Sequence, residues 1–389
     1  MKRRKTMKKR NTIKKNISIL LALTLLCMVI AGCGKTSSSN TDAPSAEAPS
    51  DSQDAATEAA EDTSAEASET ETAEAPAQPV EMIKIRAAYH PNLGPMSIPG
   101  IDAKMGYFAE EGLEVEWLKF TSGAPEIAAM ASGDLQFGYI GQGALKLCAE
   151  GQADVISLSH LTNSEAILVR ADSGIASFED LKGKKVATEL GTNGEVLLNM
   201  ACEKYNVSRD EIEVINMPIS NAIAAFIGGS TDAVVAWGPD LTNIKNNVDE
   251  EMLAVVETKD FVDSVPFLGS WIGNPDYIEE NQDIVQRFQR ALNKCYDYRA
   301  SHLDETIQAA ADFAVGKDIG VSYDDLNSER DQLVFFNLEE EKEWVSSGHM
   351  EELFQLQLNY MQGQDQIGTD VSVTDYVRLD LIQKALETQ

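Results

Sequence analysis

The sequence predicts an α/β fold with a largely parallel sheet, arranged as two similarly built lobes, and three observations carry that reading. From Ile83 onward, apolar runs of five to eight residues alternate with helical stretches that stop at glycine. Residues 127–141, IAAMASGDLQFGYIG, and 223–238, IAAFIGGSTDAVVAWG, follow one pattern of helix, glycine stop, Asp, apolar strand, aromatic and glycine. Such a weak internal repeat places a strand end at matching positions of two lobes. From Asp283 on, the chain turns helical.

In order, IKIRAAYH is a strand and IPGIDAKMGYFAEEG a helix with Ile101, Met105 and Phe108 on one face and Gly112 at its end. LEVEWLKF alternates as a strand. GAPEIAAMASGD is a helix closed by Gly133, and LQFGYIG reads as a buried strand. GALKLCAEG and ADVISLSHL repeat the sequence of helix and strand. The second lobe reads KKVATEL as strand, a helix from Gly194 to about Tyr205, EIEVINM as strand, SNAIAAFIGG as helix and DAVVAW as strand. Four helical stretches follow, and the last carries Val377, Leu379, Leu381, Ile382 and Leu386, an apolar stripe suited to docking on the core.

The N-terminal composition sets the expected compartment. Residues 1–15 hold nine Lys or Arg and no acid, and the apolar run from Ile17 ends in Ile30-Ala31-Gly32-Cys33. A basic stretch, a short apolar core and small residues describe a secretory signal. The run falls short of the about 20 apolar residues that span a bilayer. Its last four residues resemble the lipobox of bacterial lipoproteins, which implies that residues 1–32 are a signal peptide and that Cys33 is acylated and holds the chain at the membrane. Residues 33–81 then read as a linker: between Thr36 and Val80 there are eleven acids, no base and no aromatic. Such a segment stays disordered and extended, which leaves 82–389 as the folded domain. The expected location is the outer face of the cell membrane, and the tether suggests a Gram-positive one.

The formal charge is −31. Nucleic-acid binding rests on Lys and Arg against phosphate, so this balance speaks against it. Cys148, Cys202 and Cys295 lie in apolar helical surroundings without CxxC spacing, which predicts buried free thiols. No enzyme template assembles. There is no P-loop, because GTNGEVLL lacks the Lys and hydroxyl, and no HExxH, EF-hand or GxSxG motif. His90, His160, His302 and His349 show no metal spacing, and neither a cofactor nor a catalytic constellation is expected.

The strand-to-helix turns carry the chemistry: His90-Pro91-Asn92, Thr121-Ser122-Gly123, Gly141-Gln142-Gly143, Thr162-Asn163-Ser164 and Gly191-Thr192-Asn193-Gly194. Ligands of open α/β sheets bind outside the carboxyl ends of the strands. Small polar residues and glycines there expose N–H groups at helix starts, which hold an anion without Lys or Arg. Simple N-capping explains any one turn, whereas five on one sheet edge point to a site. Tyr89, Tyr139, Trp237 and Trp271 add shape, with Trp237 at a strand end suited to half-exposure. His160 reads as a hydrogen-bonded loop histidine.

Three stretches, GYFAEEGLEVEWLKFTSGAPEIAAMASGDLQFGYIGQGA, LVRADSGIASFEDLKGKKVATELGTNGEVLL and AAFIGGSTDAVVAWGPDL, together resemble substrate-binding proteins of ABC importers. Within these the chain is similar to the branch that takes up sulfonates, taurine, nitrate and the pyrimidine precursor of thiamine. The resemblance implies a two-lobed type II periplasmic-binding-protein fold, with lobe one at about 83–171 plus 269–389 and lobe two at about 172–268. It implies a small ligand caught between the lobes, a permease and its ATPase as partners, and a monomer. By position the ligand-facing residues are His90, Asn92, Ser122, Gly123, Gly141, Gln142, Asn163, Thr192, Asn193 and Trp237, beside Gly191 of the same turn. Relatives often carry an acid between the tryptophan and the proline, where this chain has Trp237-Gly238-Pro239. Two ligand classes stand open, a small sulfonate and a flat pyrimidine-type heterocycle; a sensor or adhesion lipoprotein is a third role.

Overall fold

The computed structural model describes residues 82–261 and 265–389. The signal, lipobox and linker expectations lie outside the described residues. Among the described residues no helix is long and apolar enough to cross a membrane. The described residues contain eleven strands: β1 (Ile83–Tyr89), β2 (Leu113–Lys119), β3 (Phe137–Ile140), β4 (Asp154–Thr162), β5 (Glu165–Arg170), β6 (Lys185–Thr188), β7 (Glu213–Asn216), β8 (Ala233–Trp237), β9 (Met252–Glu257), β10 (Phe267–Gly273) and β11 (Leu333–Val334).

They form two sheets, ordered β11-β4-β10-β3-β1-β2 and β7-β6-β8-β5-β9. Strands linked through helices run parallel, as β1 does with β2 and β3, and β6 with β7 and β8. The expectation of a largely parallel sheet is corrected at the crossings. Only Asn163 and Ser164 separate β4 from β5, too few for a helical crossover. Strand β5 therefore enters the second sheet antiparallel to β8 and β9, and β10 returns antiparallel between β3 and β4.

The internal repeat is real in three dimensions. The helices Gly123–Ser132 and Ile219–Ile227 each lead through glycine to β3 and β8. Each of these strands has a parallel neighbour on one side and an antiparallel one on the other. Their far ends reach the same cleft, which Gly141 and Trp237 line.

One core lies around the first sheet, where Phe137 stacks on Phe288 at 4.1 Å and Trp271 is fully buried. The second sheet has a core on each face. The first helix runs Leu93–Met105 and stops at Gly106, which takes a left-handed φ of 75°. Met105 is therefore 38% exposed rather than part of a buried stripe. The last helix, Leu379–Glu387, buries Leu381, Ile382 and Leu386, while Val377 lies before it and bridges to Val155. Cys148, Cys202 and Cys295 are free and buried.

Candidate functional site

The carboxyl ends of β1, β2, β3, β6 and β8 meet at one cleft, together with the β4–β5 crossing. Nine of the eleven expected residues line it: His90, Asn92, Ser122, Gly123, Gly141, Gly191, Thr192, Asn193 and Trp237. Two do not. Gln142 is buried beside it, and Asn163 lines a separate hollow of about 400 Å³ behind β5. Tyr139, His160, Thr162, Ser164 and Glu165 complete the wall. His160 is no loop residue: it sits in β4, buried, stacked on Tyr139 and bonded to the Tyr139 hydroxyl at 3.2 Å.

Two helices point their N-termini into this cleft, Gly123–Ser132 after Ser122 and Asn193–Lys204 after Thr192. Neither Ser122 nor Thr192 caps its own helix with its side chain; the Thr192 hydroxyl instead donates to the Glu189 carbonyl at 2.6 Å. First-turn N–H groups thus remain as the positive ends of two helix dipoles. Glu195 accepts from the Gly191 N–H at 2.7 Å, which pins the turn.

Asn193 ties the two sides together. Its Oδ1 accepts from the Gly143 N–H at 3.2 Å, and its Nδ2 donates to Glu165 at 2.6 Å. The approach is close enough that a Cβ on Gly143 would stand 2.1 Å from the Thr192 carbonyl carbon. Thr258 donates its hydroxyl to the other Glu165 oxygen at 2.7 Å. Burial raises the Glu165 pKa, and these two donors oppose that rise.

The lining contains no Lys or Arg. His90 contacts Glu126 at 3.1 Å, and burial disfavours the charged form of both partners. Burial pulls His90 down to about 4, although 13% of its side chain stays exposed, and pushes Glu126 well up. Burial also lowers His160 well below its usual value, with Arg299 adding to the effect. The free volume is about 40 Å³, far below the roughly 300 Å³ at which small-molecule pockets begin. Among the described residues no group of three or more His, Cys, Asp or Glu is placed to hold a metal ion.

Glu165 escaped the sequence reading. Its one signal is an acid opening the apolar run EAILVR, a weak one in a chain with 63 acids.

A family model described as NMT1/THI5 like matches residues 101–306. A binding protein of Brucella abortus is 31% identical over 231 residues, covering 59% of this chain and 72% of that protein. The taurine-binding periplasmic protein of Escherichia coli is 26% identical over 215 residues, covering 54% and 65%. The alkanesulfonate-binding protein of Xanthomonas axonopodis pv. citri, solved bound to MOPS, superposes with a TM-score of 0.58 over 76% of this chain and 98% of that one. At 18% identity that likeness shows the fold.

Proposed function

The chain belongs to the NMT1/THI5-like family, and from that premise we propose that it is the solute-binding lipoprotein of an ABC importer. It captures a small sulfonate of the alkanesulfonate or taurine kind between two lobes and hands it to a permease and its ATPase. The lobes are the bodies built on the two sheets, and they part at the β4–β5 and β9–β10 crossings to admit a ligand larger than the 40 Å³ now open. Lipid on Cys33 and the acidic linker keep the domain outside the cell and near its permease. The role is capture, with no chemistry done on the solute.

The observation that carries this reading is the convergence of two uncapped helix N-termini on a cleft without Lys or Arg. Such ends hold a sulfonate through N–H groups and dipole. Glu165 beside them favours an aminosulfonate, whose ammonium end faces the carboxylate, over a plain alkanesulfonate. A second reading, a pyrimidine-type heterocycle, draws on half-buried Trp237 with Tyr139 as a flat wall.

A thermal-shift and calorimetric panel of taurine, ethanesulfonate, nitrate and hydroxymethylpyrimidine tests both. A ligand at 100 times its Kd adds about 2.7 kcal/mol of stability. Taurine is expected to bind ahead of ethanesulfonate, and Glu165→Gln to erase most of that preference, about 2 kcal/mol or roughly 30-fold. Binding of the pyrimidine alone would replace the sulfonate reading with the second one.

A further inference from the structure

Glu329 follows the helix Tyr323–Asn327 on the side of the first sheet, and its side chain is 0% exposed. The Leu93 N–H donates to its Oε1 at 3.0 Å. Its Oε2 is buried without a hydrogen-bond partner. That oxygen lies 3.0 Å from where a Cβ on Gly238 would stand, and Gly238 belongs to the second-sheet side, at the end of β8. Gly238 has φ 54° and ψ −136°, a backbone suited to glycine. The space that a side chain at 238 would fill is thus bordered by a carboxyl from the opposite half.

The contact is an interface. The helix Pro239–Asn247, which begins just after Gly238, packs on the Tyr323–Asn327 helix, and Thr242 bonds to Ser328 at 3.1 Å. The charged groups acting on Glu329 are Asp240 from the Pro239 helix, Glu165 from β5 and Asp325 from the Tyr323 helix, all acids. The Leu93 helix offers it only a backbone N–H. Arg330, next in sequence, is taken up by Asp304 at 2.9 Å. Among the described residues no Lys, Arg or His forms a salt bridge with this carboxyl, and separating the halves would return it to water.

We propose that Glu329, with Asp240 opposite, couples closure of the two halves to proton uptake, so that solute capture and release are linked to pH. This rests on the reading that the halves part to admit ligand. Burial raises Glu329 to about 8, with the three acids adding to the rise and the Leu93 N–H opposing it. Burial raises Asp240 to about 6. In an opened molecule both revert toward ordinary carboxylate values near 4. The closed form therefore holds extra protons between those limits, and it loses ground to the open form as pH rises from about 4 to about 8. Glu126 and Glu165 are also raised, but each meets its hydrogen-bond partners within its own half.

The test is the distance between one spin label on each half, at Lys119→Cys and Ser220→Cys, in ligand-free full-length protein from pH 5 to 9. The closed population is expected to fall with rising pH, by at most tenfold per unit for each group. Glu329→Gln should remove the fall in closed population above about pH 6 and leave the lower limb, and Asp240→Asn should remove that lower limb. Halves that separate equally at every pH, or a Glu329→Gln profile identical to the parent, would overturn proton coupling while leaving closure intact. A single distance in all variants at every pH would overturn closure and the coupling with it.

Discussion

Gly143 has the Thr192 backbone where a side chain would go, and backbone cannot swing aside as the tip of a flexible side chain can. Alanine at this position must push the Asn193 helix start away from the β3 turn. It would also disturb the Gly143 N–H bond to Asn193. Overpacking of this kind costs about 1–3 kcal/mol, and here the cost falls on the closed arrangement and not on either core. Gly143→Ala is therefore expected to weaken ligand affinity tenfold or more while leaving the thermal midpoint nearly unchanged. Titration calorimetry beside a melting curve separates the two quantities; full affinity in the variant would mean that ligand binds with the halves apart at this point.

The helix starts explain why so much of the cleft is legible in the sequence and why some of it is not. Glycine stops, N-cap residues and strand runs are local signals, so the turns at 121–123, 141–143 and 191–194 can be read from neighbouring residues alone. Glu329 and Glu165 cannot. Glu329 meets its partner Leu93 across 236 positions of sequence, and nothing local marks one acid among many as buried. The short crossing strands β5 and β10 hide for a similar reason, because their direction is set by how the chain passes between sheets. The burial of His160 is equally invisible locally, because its partners Tyr139 and Arg299 come from distant parts of the chain. The helix end itself makes a prediction. Asn193→Asp keeps an acceptor for Gly143 but removes the donor to Glu165 and sets a negative charge where an anion would sit. Capture of a sulfonate is expected to fall at least tenfold, since helix-end electrostatics and like-charge contact act in the same direction. Equal affinity in calorimetry would remove this helix end from the anion site.

Across the molecule, charge and anchoring give the remaining expectations. Cys33→Ser is expected to move the protein from the membrane fraction to the medium, read by fractionation; retention at the membrane would sink the lipid anchor. Stability should also carry the mark of the buried acids. Glu329 and Glu341 are raised to about 8, burial leading in both, and the two Glu341 oxygens have no hydrogen-bond partner. His90 and His160 are shifted the other way, to about 4 and well below the usual value. The signs follow from linkage. An acid raised in the folded state contributes stability that is lost as pH climbs from about 4.3 toward 8. A lowered histidine contributes stability that is lost as pH falls from about 6.5 toward its folded value. Between about 4.5 and 6.5 the two histidines oppose the raised acids, which there include Asp240, Glu126 and Glu165, so stability should fall only gently as pH rises. Above 6.5 the raised acids act without the histidines, and stability should drop by up to about 1.4 kcal/mol per pH unit for each group, with the midpoint falling in step. Glu341 belongs to the helix Leu338–Ser347, and the charged group acting on it is Arg299, with none from the second-sheet side. Glu341→Gln should therefore flatten the melting profile above pH 6.5 and leave the closure profile untouched, whereas Glu329→Gln should flatten both. Melting curves and label distances measured on the same two variants would thus separate a pH effect on folding from one on the cleft, and matching behaviour of the two variants in both measurements would show that Glu329 acts only as one more buried acid.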